Sequence, residues 1–568
     1  MDFKKMEGSK SGFLSKENYI FLFSALAVVY IAGLFIPLME NDAAQFSVMA
    51  LRMHQLNDYV NLVKGTEEYL DKPHMHFWLA AFSYKVFGVY DWAYRIPALL
   101  FTVLGAFSTF GLGKLLYNKE VGRLAALIFV SAQAIILANH DVRTDAVLTG
   151  ATVFAIWQFA AYIRHRKASN IILGAAGMAV AFSTKGQIAV FVAGIAILCD
   201  LIYTRKWKVL WSWKVIAGII TFFAFSAPML YAYYLQFDLH PEKFVNGKYG
   251  NSGVWFILWR QSFERLAGER GMQENSDFFF FHHSFIWAFL PWSLITFAAI
   301  FNGVKRLIKA KFHYKNDLDF LTLGGFIIAF HVFSLASFKL PHYINILFPL
   351  AAVITAQYLY RLFETAQDGI ARIVLIAQYV VVGACILLLI LLNIWAFPID
   401  NIFLGIVYVL LLGLVLYLTF ARKTLYQKII LMSAWLIILV NFMLNTNFYP
   451  KLLEYQGGSE IAEMAKDKNI DPESIYILEG RWSRSLNFYL QQETPSLSLE
   501  EVRIRTDQDK DLWIFGYNKQ KQMLEEAGIK FKEELTTPAF HVSTLNGKFL
   551  NPNTRDEAVN HAYLLKIN

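Results

Sequence analysis

The sequence contains little charge and almost no cysteine. Only 17% of its 568 residues are Asp, Glu, Lys or Arg, whereas 56% are hydrophobic and the mean hydropathy is +0.40. A soluble protein of this length could not bury so much apolar surface, so the composition predicts a polytopic membrane protein. The two cysteines, Cys199 and Cys385, lie far apart inside apolar runs. This excludes a disulfide framework or a cysteine-based zinc site.

Several common cofactor motifs are also missing. No H-x-x-x-H or H-E-x-x-H pair occurs, and the polar carboxyl-terminal region has no G-x-G-x-x-G, P-loop or nucleophile elbow. We therefore expect no required cofactor, although a divalent metal ion held by acids with His74, His76 or His282 stays open. The net charge of +8 does not indicate a nucleic-acid partner, because the Lys and Arg residues cluster in short loops between apolar segments.

The apolar segments themselves define the expected architecture. About thirteen are long enough to cross a bilayer as helices. These predicted spans are 19–39, 96–116, 123–139, 145–163, 170–184, 187–203, 213–236, 283–304, 320–338, 343–362, 373–397, 402–420 and 428–447. The segment 76–86 is apolar but short, and fits either an interfacial or re-entrant helix or a further span.

Three regions follow from this pattern. Residues 1–18 form a polar amino-terminal segment, and we expect no cleaved signal peptide because the first apolar run is long enough to remain as a span. Residues 19–447 form the membrane domain, with long external loops at 40–95 and 237–282. Residues 448–568 have a soluble composition and predict a small α/β domain of ordinary size. We expect strands at 474–478, 512–515, 540–544 and 562–567, and helices at 459–466 and 519–527.

The distribution of basic residues predicts the orientation. Lys and Arg fill alternate short loops, as in Arg164-His165-Arg166-Lys167, while the other loops hold isolated cations. By the positive-inside rule the amino terminus is cytoplasmic, and the odd number of spans places the carboxyl-terminal domain outside. We expect a multi-pass, monomeric protein of the bacterial inner (cytoplasmic) membrane, with its site and its carboxyl-terminal domain in the periplasm.

Ionisable residues at the outer ends of predicted spans mark a candidate site, because charge near hydrocarbon is costly. They occur at four boundaries, which all face the same side: Glu40-Asn41-Asp42, His140 to Asp145, Ser183 to Gln187, and Phe338 to Tyr343. Each of these ionisable residues, taken alone, also has a purely structural explanation. A single Lys at a span end is often a snorkelling anchor, an Asp at a helix start is often an N-cap, and a His at an interface often only packs. An acidic turn and a Lys-Pro run within one loop favour a functional site.

Several motifs of the membrane half resemble those of a known family. N-D-A-A-Q-F-S-V-M at 41–49 is similar to the acid motif that follows the first span in GT-C glycosyltransferases using polyprenyl-phosphate sugars. D-K-P-H-M-H-F-W-L at 71–79 is similar to their Lys-Pro-Pro run, and R-T-D at 143–145, S-T-K-G at 183–186, F-L-P-W-S at 289–293 and S-F-K-L-P-H-Y at 337–343 fit further blocks. Among such enzymes the chain resembles the lipid A aminoarabinose transferases and the protein O-mannosyltransferases. It departs from them at Ala43, where a second acid is usual, and at His74, where a second Pro is usual.

The resemblance implies the chemistry. A sugar would move from an undecaprenyl-phosphate donor to lipid A or another envelope glycolipid, with inversion. The implied catalytic acids are Asp42 first, Asp145 second and Glu40 as a substitute partner. The implied ligands of the donor phosphate are Lys72, Arg143, Lys185, Lys339 and Tyr343. The implied further substrate contacts are His74, His342 and Arg265.

Other functions stay open from the sequence. Transfer to protein Ser or Thr is the alternative within the enzyme class. A lipid or solute transporter is the alternative outside it, although that class favours inverted repeats and charges near the bilayer midplane. A structural scaffold of the envelope would leave the four charged boundaries unexplained.

Overall fold

The membrane half of the protein is almost entirely helical. The computed structural model describes residues 14–261, 277–421, 423–506 and 511–567. The first ten helices, numbered in chain order, are α1 Lys16–Leu34, α2 Asp42–Leu56, α3 Met75–Phe87, α4 Asp91–Leu116, α5 Lys119–Val130, α6 Gln133–Leu137, α7 Asp145–His165, α8 Ala168–Lys185, α9 Gln187–Thr204 and α10 Trp213–Tyr233. The later membrane helices are Phe280–Ala288, Ser293–Lys309, Leu321–Ser334, Phe348–Glu364, Asp368–Ile390, Ile402–Phe420 and Leu425–Met443.

Within these described ranges, nine helices are long and apolar enough to cross a membrane, or ten if one bent pair is counted as a single span. The sequence predicts about thirteen, and the difference lies in four segments. One is divided into α5 and α6 at Ser131, one is α8, one is only 14 residues long at Leu321–Ser334, and one bends by 120° between Phe280–Ala288 and Ser293–Lys309. Hydropathy counts apolar residues but does not detect the division at Ser131 or the 120° bend, whereas α8 is a continuous helix of 18 residues.

Two short helices lie between the first spans, on the loop after α1. The helix α2 packs on α3, and Phe46, Phe77 and Tyr84 form a separate apolar cluster with them. The segment 76–86 is therefore part of α3, a 13-residue helix that is shorter than a bilayer crossing. This subdomain supports the turn that carries Asp42.

The carboxyl-terminal region folds around a five-stranded mixed sheet. Its strands are β3 Ile475–Leu478, β4 Ser496–Leu497, β5 Trp513–Tyr517, β6 Phe531–Ala539 and β7 Asn560–Ile567, and they lie in the order β4-β3-β5-β7-β6. A separate two-stranded hairpin, β1 Val63–Lys64 and β2 Glu67–Glu68, lies earlier in the chain, before α3. Its helices are Gly457–Asp467, Arg484–Leu490, Leu499–Thr506, Asn518–Glu526 and Gly547–Leu550. The predicted small α/β domain is thus present.

The predicted pattern of this domain is confirmed in part, and it omits β4, β6 and the helices Arg484–Leu490, Leu499–Thr506 and Gly547–Leu550. The strands expected at 474–478, 512–515 and 562–567 and both helices are confirmed. The strand expected at 540–544 is wrong, because β6 ends at Ala539 and Phe540 instead stacks on Phe549 with ring centroids 3.8 Å apart. The apolar residues there belong to packing between loops rather than to the sheet.

Candidate active site

Asp42 stands at the first position of α2, where its carboxylate complements the positive end of the helix dipole. Its Oδ2 lies 3.1 Å from Nη1 of Arg143. The same guanidinium donates through Nη2 to Asp141 Oδ2 at 3.0 Å, and its Nη1 lies 3.3 Å from Nδ1 of His342. Arg143 therefore joins the acidic turn to two distant segments of the chain.

A second ion pair adjoins the first. Lys185 donates from Nζ to Asp145 Oδ1 at 2.7 Å, and the two side chains are only 5% and 4% exposed. The ammonium also lies over the Tyr343 ring, 4.6 Å from its centroid, and His342 Nε2 is 3.9 Å from Asp145 Oδ2. His342 is thus the residue around which the two ion pairs meet.

The helix ends explain why these charges lie where they do. Asp145 begins α7 and Lys185 ends α8, so each side chain opposes the sign of its own helix terminus. Gly186 follows with φ +71, which lets the chain turn directly into α9, and a Cβ there would clash with the Gln261 side chain. The S-T-K-G block is therefore a helix stop that presents its lysine to the cluster.

Lys72 approaches the cluster from the loop before α3. Its Nζ donates to Asp71 Oδ2 at 2.7 Å, and its side chain is 13% exposed. It also lies within electrostatic range of His342. Asp42 is thus connected to His342 through Arg143, and Lys72, from the other end of the same loop, interacts with the same imidazole electrostatically.

The acids and the arginine influence each other's ionisation. Burial raises the pKa of Asp141, and Arg143 opposes that shift. Burial disfavours the charged form of Arg143, yet Asp141 and Asp42 outweigh it and raise the pKa of the guanidinium. Arg143 consequently stays cationic at every physiological pH.

Arg95 holds the backbone of the site together, and sequence reasoning missed it. Its fully buried guanidinium donates to the carbonyl oxygens of Leu34 at 2.9 Å, Pro37 at 3.2 Å and His140 at 2.9 Å. It thereby ties the end of α1 to the loop that carries Asp141 and Arg143. The available signal was an arginine one turn inside the apolar run of α4, where a charge needs several partners.

The other predicted site residues have different surroundings. Glu40 Oε1 accepts hydrogen bonds from Ser483 Oγ at 2.6 Å and from Ser485 Oγ and N at 2.7 and 2.9 Å, so its carboxylate contacts the carboxyl-terminal domain. Lys339 donates to the backbone carbonyl of Asp277 at 3.1 Å. Arg265 lies outside the described residues.

His74 is a core residue in this structure. It is fully buried, its Nε2 lies 2.8 Å from the Val60 carbonyl oxygen, and its ring packs edge-on against Tyr233. Burial lowers its pKa to about 4, so the ring is neutral at pH 7. Within the described ranges no group of three or more His, Cys, Asp or Glu side chains is arranged to hold a metal ion.

The chain is similar in sequence to known proteins. Residues 71–231 match the family described as dolichyl-phosphate-mannose-protein mannosyltransferase. The chain is 26% identical over 362 residues to an undecaprenyl phosphate-alpha-4-amino-4-deoxy-L-arabinose arabinosyl transferase of Edwardsiella ictaluri, covering 61% of this chain and 60% of that one. A transferase of the same name from Yersinia pestis is 27% identical over 319 residues, covering 54% and 52%. The chain thus aligns with little more than half the length of these curated relatives.

Solved structures extend the similarity to the whole chain. The crystal structure of ArnT from Cupriavidus metallidurans bound to undecaprenyl phosphate superposes with a TM-score of 0.72 at 16% identity, covering 97% of this chain and 98% of that one. The chain has the GT-C fold. The Archaeoglobus fulgidus oligosaccharyltransferase superposes less closely, with a TM-score of 0.52 at 10% identity over 89% and 71% of the two chains. The GT-C resemblance predicted from the motifs is confirmed.

Proposed function

We propose that the protein is a membrane glycosyltransferase that moves a sugar from undecaprenyl phosphate to an acceptor of the bacterial envelope. The observation that carries this proposal is the convergence of Asp42, Lys72, Arg143 and Lys185 around His342 within a GT-C bundle. A carboxylate beside several cations suits a reaction whose leaving group departs as a phosphate. The names of the curated relatives support the same donor.

The cations serve the leaving group. A phosphate monoester is already a stable anion near pH 7, so it needs neutralisation more than a proton as the bond from the anomeric carbon to oxygen breaks. Lys72 and Arg143 are the principal ligands we propose, Lys72 as a point charge and Arg143 as a planar fork. Because these groups are partly or fully withdrawn from water, they stabilise developing charge more strongly than exposed ones would.

Asp42 serves the acceptor. An acceptor hydroxyl attacks the anomeric carbon from the face opposite the phosphate, and Asp42 takes its proton as the new bond forms, which gives inversion. An acceptor phosphate would already be anionic, and Asp42 would then orient it instead. Arg143 orients the carboxylate in either case, since it forms an ion pair with Asp42 while it donates a hydrogen bond to Asp141.

Asp145 has a different role in this proposal. Its carboxylate is buried and bound to Lys185 at 2.7 Å, which leaves it badly placed to accept a proton from an acceptor. We assign it as the residue that positions Lys185 and, at 3.9 Å, the His342 ring. The Lys185 ammonium also lies over the Tyr343 ring.

Orientation and acceptor belong to the same proposal. We place the protein in the bacterial inner membrane with a cytoplasmic amino terminus and a periplasmic site, as a monomer. The resemblance of the motifs to lipid A aminoarabinose transferases favours lipid A as acceptor, whereas the names of the curated relatives give only the donor. The second candidate is transfer to protein Ser or Thr, which the description of the matching family favours.

The test replaces Asp42 with Asn in the purified protein, supplied with a labelled undecaprenyl-phosphate sugar and an envelope lipid extract. We expect transfer to fall by about 10²–10⁴-fold, the usual contribution of a general base, with unchanged thermal stability. The control is Glu67→Gln, an exposed acid of the same loop outside the cluster. A folded Asp42→Asn variant with the wild-type rate would overturn the proposal.

A further inference from the structure

A hydrogen-bonded pair of buried side chains contacts the loop that carries Asp141 and Arg143. Tyr94 of α4 donates from its hydroxyl group to the backbone carbonyl oxygen of Val142 at 3.1 Å. The Nε2 atom of His76 on α3 lies 3.0 Å from the same hydroxyl oxygen. We infer that Tyr94, oriented by His76, is a positioning residue for Arg143, an assignment that rests on the proposed function.

The direction of each hydrogen bond follows from the protons that are available. A carbonyl oxygen only accepts, so the single proton of the Tyr94 phenol goes to Val142. The imidazole of His76 must therefore donate from Nε2 to the phenol oxygen, which leaves Nδ1 without a proton in the neutral ring. Burial lowers the pKa of His76 to about 4, so the neutral ring is the form present at pH 7. The hydrogen bonds thus run from His76 through Tyr94 to the loop.

Packing alone does not account for a histidine at position 76. Its side chain is buried against the rings of Phe46 and Phe77, with centroids 5.8 and 5.6 Å from its own. Within the described ranges its Nδ1 atom has no hydrogen-bond partner. A buried polar atom without a partner is unfavourable, and an apolar side chain of similar size would avoid that cost. The hydrogen bond from Nε2 is the contact that such an apolar side chain could not make.

Consecutive residues of α4 anchor alternate carbonyl groups of the loop. Arg95 donates to the carbonyl oxygen of His140 at 2.9 Å, two residues before the carbonyl group that Tyr94 binds. The second of these carbonyl groups belongs to the peptide unit that leads into Arg143, whose Nη1 lies 3.1 Å from Asp42 Oδ2. Loss of the Tyr94 hydroxyl group would keep the Arg95 anchor but release this peptide unit. The guanidinium would then be held less closely in the position that the leaving phosphate requires.

The experiment compares two buried tyrosines that differ in this hydrogen bond. The control for Tyr94→Phe is Tyr84→Phe, because Tyr84 is equally buried and its ring stacks on that of Tyr94 with centroids 6.4 Å apart. In the described part of the chain the Tyr84 hydroxyl group forms no hydrogen bond with residues 140–143. In the full-length protein in nanodiscs, we expect Tyr94→Phe to weaken binding of undecaprenyl phosphate about three- to tenfold and to lower kcat about tenfold. Tyr84→Phe should leave both unchanged.

A double variant separates positioning from stability. Tyr94→Phe leaves the Nε2–H group of His76 buried without its acceptor, so the melting temperature should fall. His76→Leu/Tyr94→Phe removes that donor as well, and it should regain most of the lost stability while kcat stays low. A merely structural role predicts instead that activity returns together with the melting temperature, and that result would overturn the inference.

Binding in an Arg143→Ala background supplies the last readout. Because Tyr94 acts through Arg143, Tyr94→Phe should no longer weaken the binding of undecaprenyl phosphate in that background, where the other proposed cations still hold the phosphate. An equal effect in both backgrounds, or equal values for Tyr94→Phe and Tyr84→Phe, would overturn the inference. Wild-type transfer that is insensitive to Tyr94→Phe would refute the inference alone. Binding of undecaprenyl phosphate that depends on Tyr94, without any transfer, would refute only the proposed glycosyltransferase function.

Discussion

Asp145 and Lys185 form a deeply buried ion pair, and its energetics differ from those of a surface pair. Two charges removed from water stabilise each other, but either one left alone is strongly unfavourable. The pair therefore contributes little net stability while it fixes the position of the ammonium. Its role is better measured by activity than by melting temperature.

Variants of this pair should separate the two effects. We expect Lys185→Met to lower the unfolding free energy by about 3–5 kcal/mol, because Asp145 becomes a buried uncompensated charge. The double variant Lys185→Met/Asp145→Leu should regain most of that stability yet transfer no sugar. Thermal unfolding and transfer assays of the same preparations check this, and a double variant that recovered its activity would contradict the role of Lys185.

His74 predicts a pH dependence of stability. Burial lowers its pKa to about 4, against 6.5 for the ordinary group, so the unfolded chain binds a proton first as the pH falls. The free energy of unfolding is therefore unaffected by this histidine above pH 6.5, where its ring is neutral in both states. It falls by about 3 kcal/mol as the pH is lowered from 6.5 towards 4. His74→Asn should melt with a shallower dependence on pH across this interval. His165→Asn, which changes an exposed histidine, should keep the wild-type slope.

At the scale of single residues, the sequence predicted where the charged side chains lie but not which of them form pairs. Asp42, Arg143, Lys185 and His342 could be expected at one end of the bundle because each ends or begins a predicted span. Their pairing could not, since Arg143 contacts residues 101 positions before it and 199 positions after it. Arg95 escaped notice because its partners are backbone carbonyl oxygens. Asp141 lay within the predicted charged boundary from His140 to Asp145 but was assigned no role, since its pairing with Arg143 lies within the same loop.

At the scale of elements, helix ends were easier to predict than helix breaks. The S-T-K-G block stops α8 at Lys185, as the glycine suggests. The F-L-P-W block instead lies at the 120° bend between two helices, and the sequence counted it within one straight span. Composition reports how apolar a segment is and not where it bends, although Pro291, which cannot continue the hydrogen bonding of a helix, lies at this bend.

At the amino-terminal end of the helix Arg484–Leu490, a backbone N–H donates to a carboxylate from a distant part of the chain. Glu40 accepts the Ser485 N–H, and a carboxylate at a helix start is favourable to the helix dipole. The Glu40 backbone N–H in turn donates to the side-chain oxygen Oε1 of Gln456 at 2.8 Å. The acidic turn and the carboxyl-terminal domain are therefore joined at the residue two places before Asp42.

Removal of the Glu40 carboxylate should loosen this junction. We expect Glu40→Ala to destabilise docking by about 2–3 kcal/mol, since hydrogen bonds to a charged group are lost, and Glu40→Gln to have a smaller effect because one acceptor remains. Limited proteolysis of the carboxyl-terminal domain measures the change, with Glu473→Gln as an exposed control. A Glu40→Gln variant that docks normally but transfers no sugar would instead place Glu40 in the catalytic group.

At the scale of the whole molecule, the charged site and the carboxyl-terminal domain lie on one face. Arg52 pairs with Glu493 at 2.9 Å, and Tyr489 donates to Asp91 Oδ1 at 2.9 Å, so the domain rests on the subdomain that carries Asp42. The helix α7 starts at Asp145 and ends at His165, and 21 residues span about 30 Å. The basic cluster after α7 is thus one bilayer core away from the site.

This polarity leads to a labelling experiment in whole cells. The basic loops predict that residues near Lys309 are cytoplasmic and that the sheet domain is periplasmic. Lys532→Cys on β6 should react with a membrane-impermeant maleimide in intact spheroplasts, whereas Lys309→Cys should react only after permeabilisation. The native Cys199 and Cys385 are buried and give a low background. Reversed labelling would place Asp42 on the cytoplasmic side, out of reach of an outer-leaflet lipid acceptor, and the envelope acceptor would then have to be abandoned even if the transfer chemistry held.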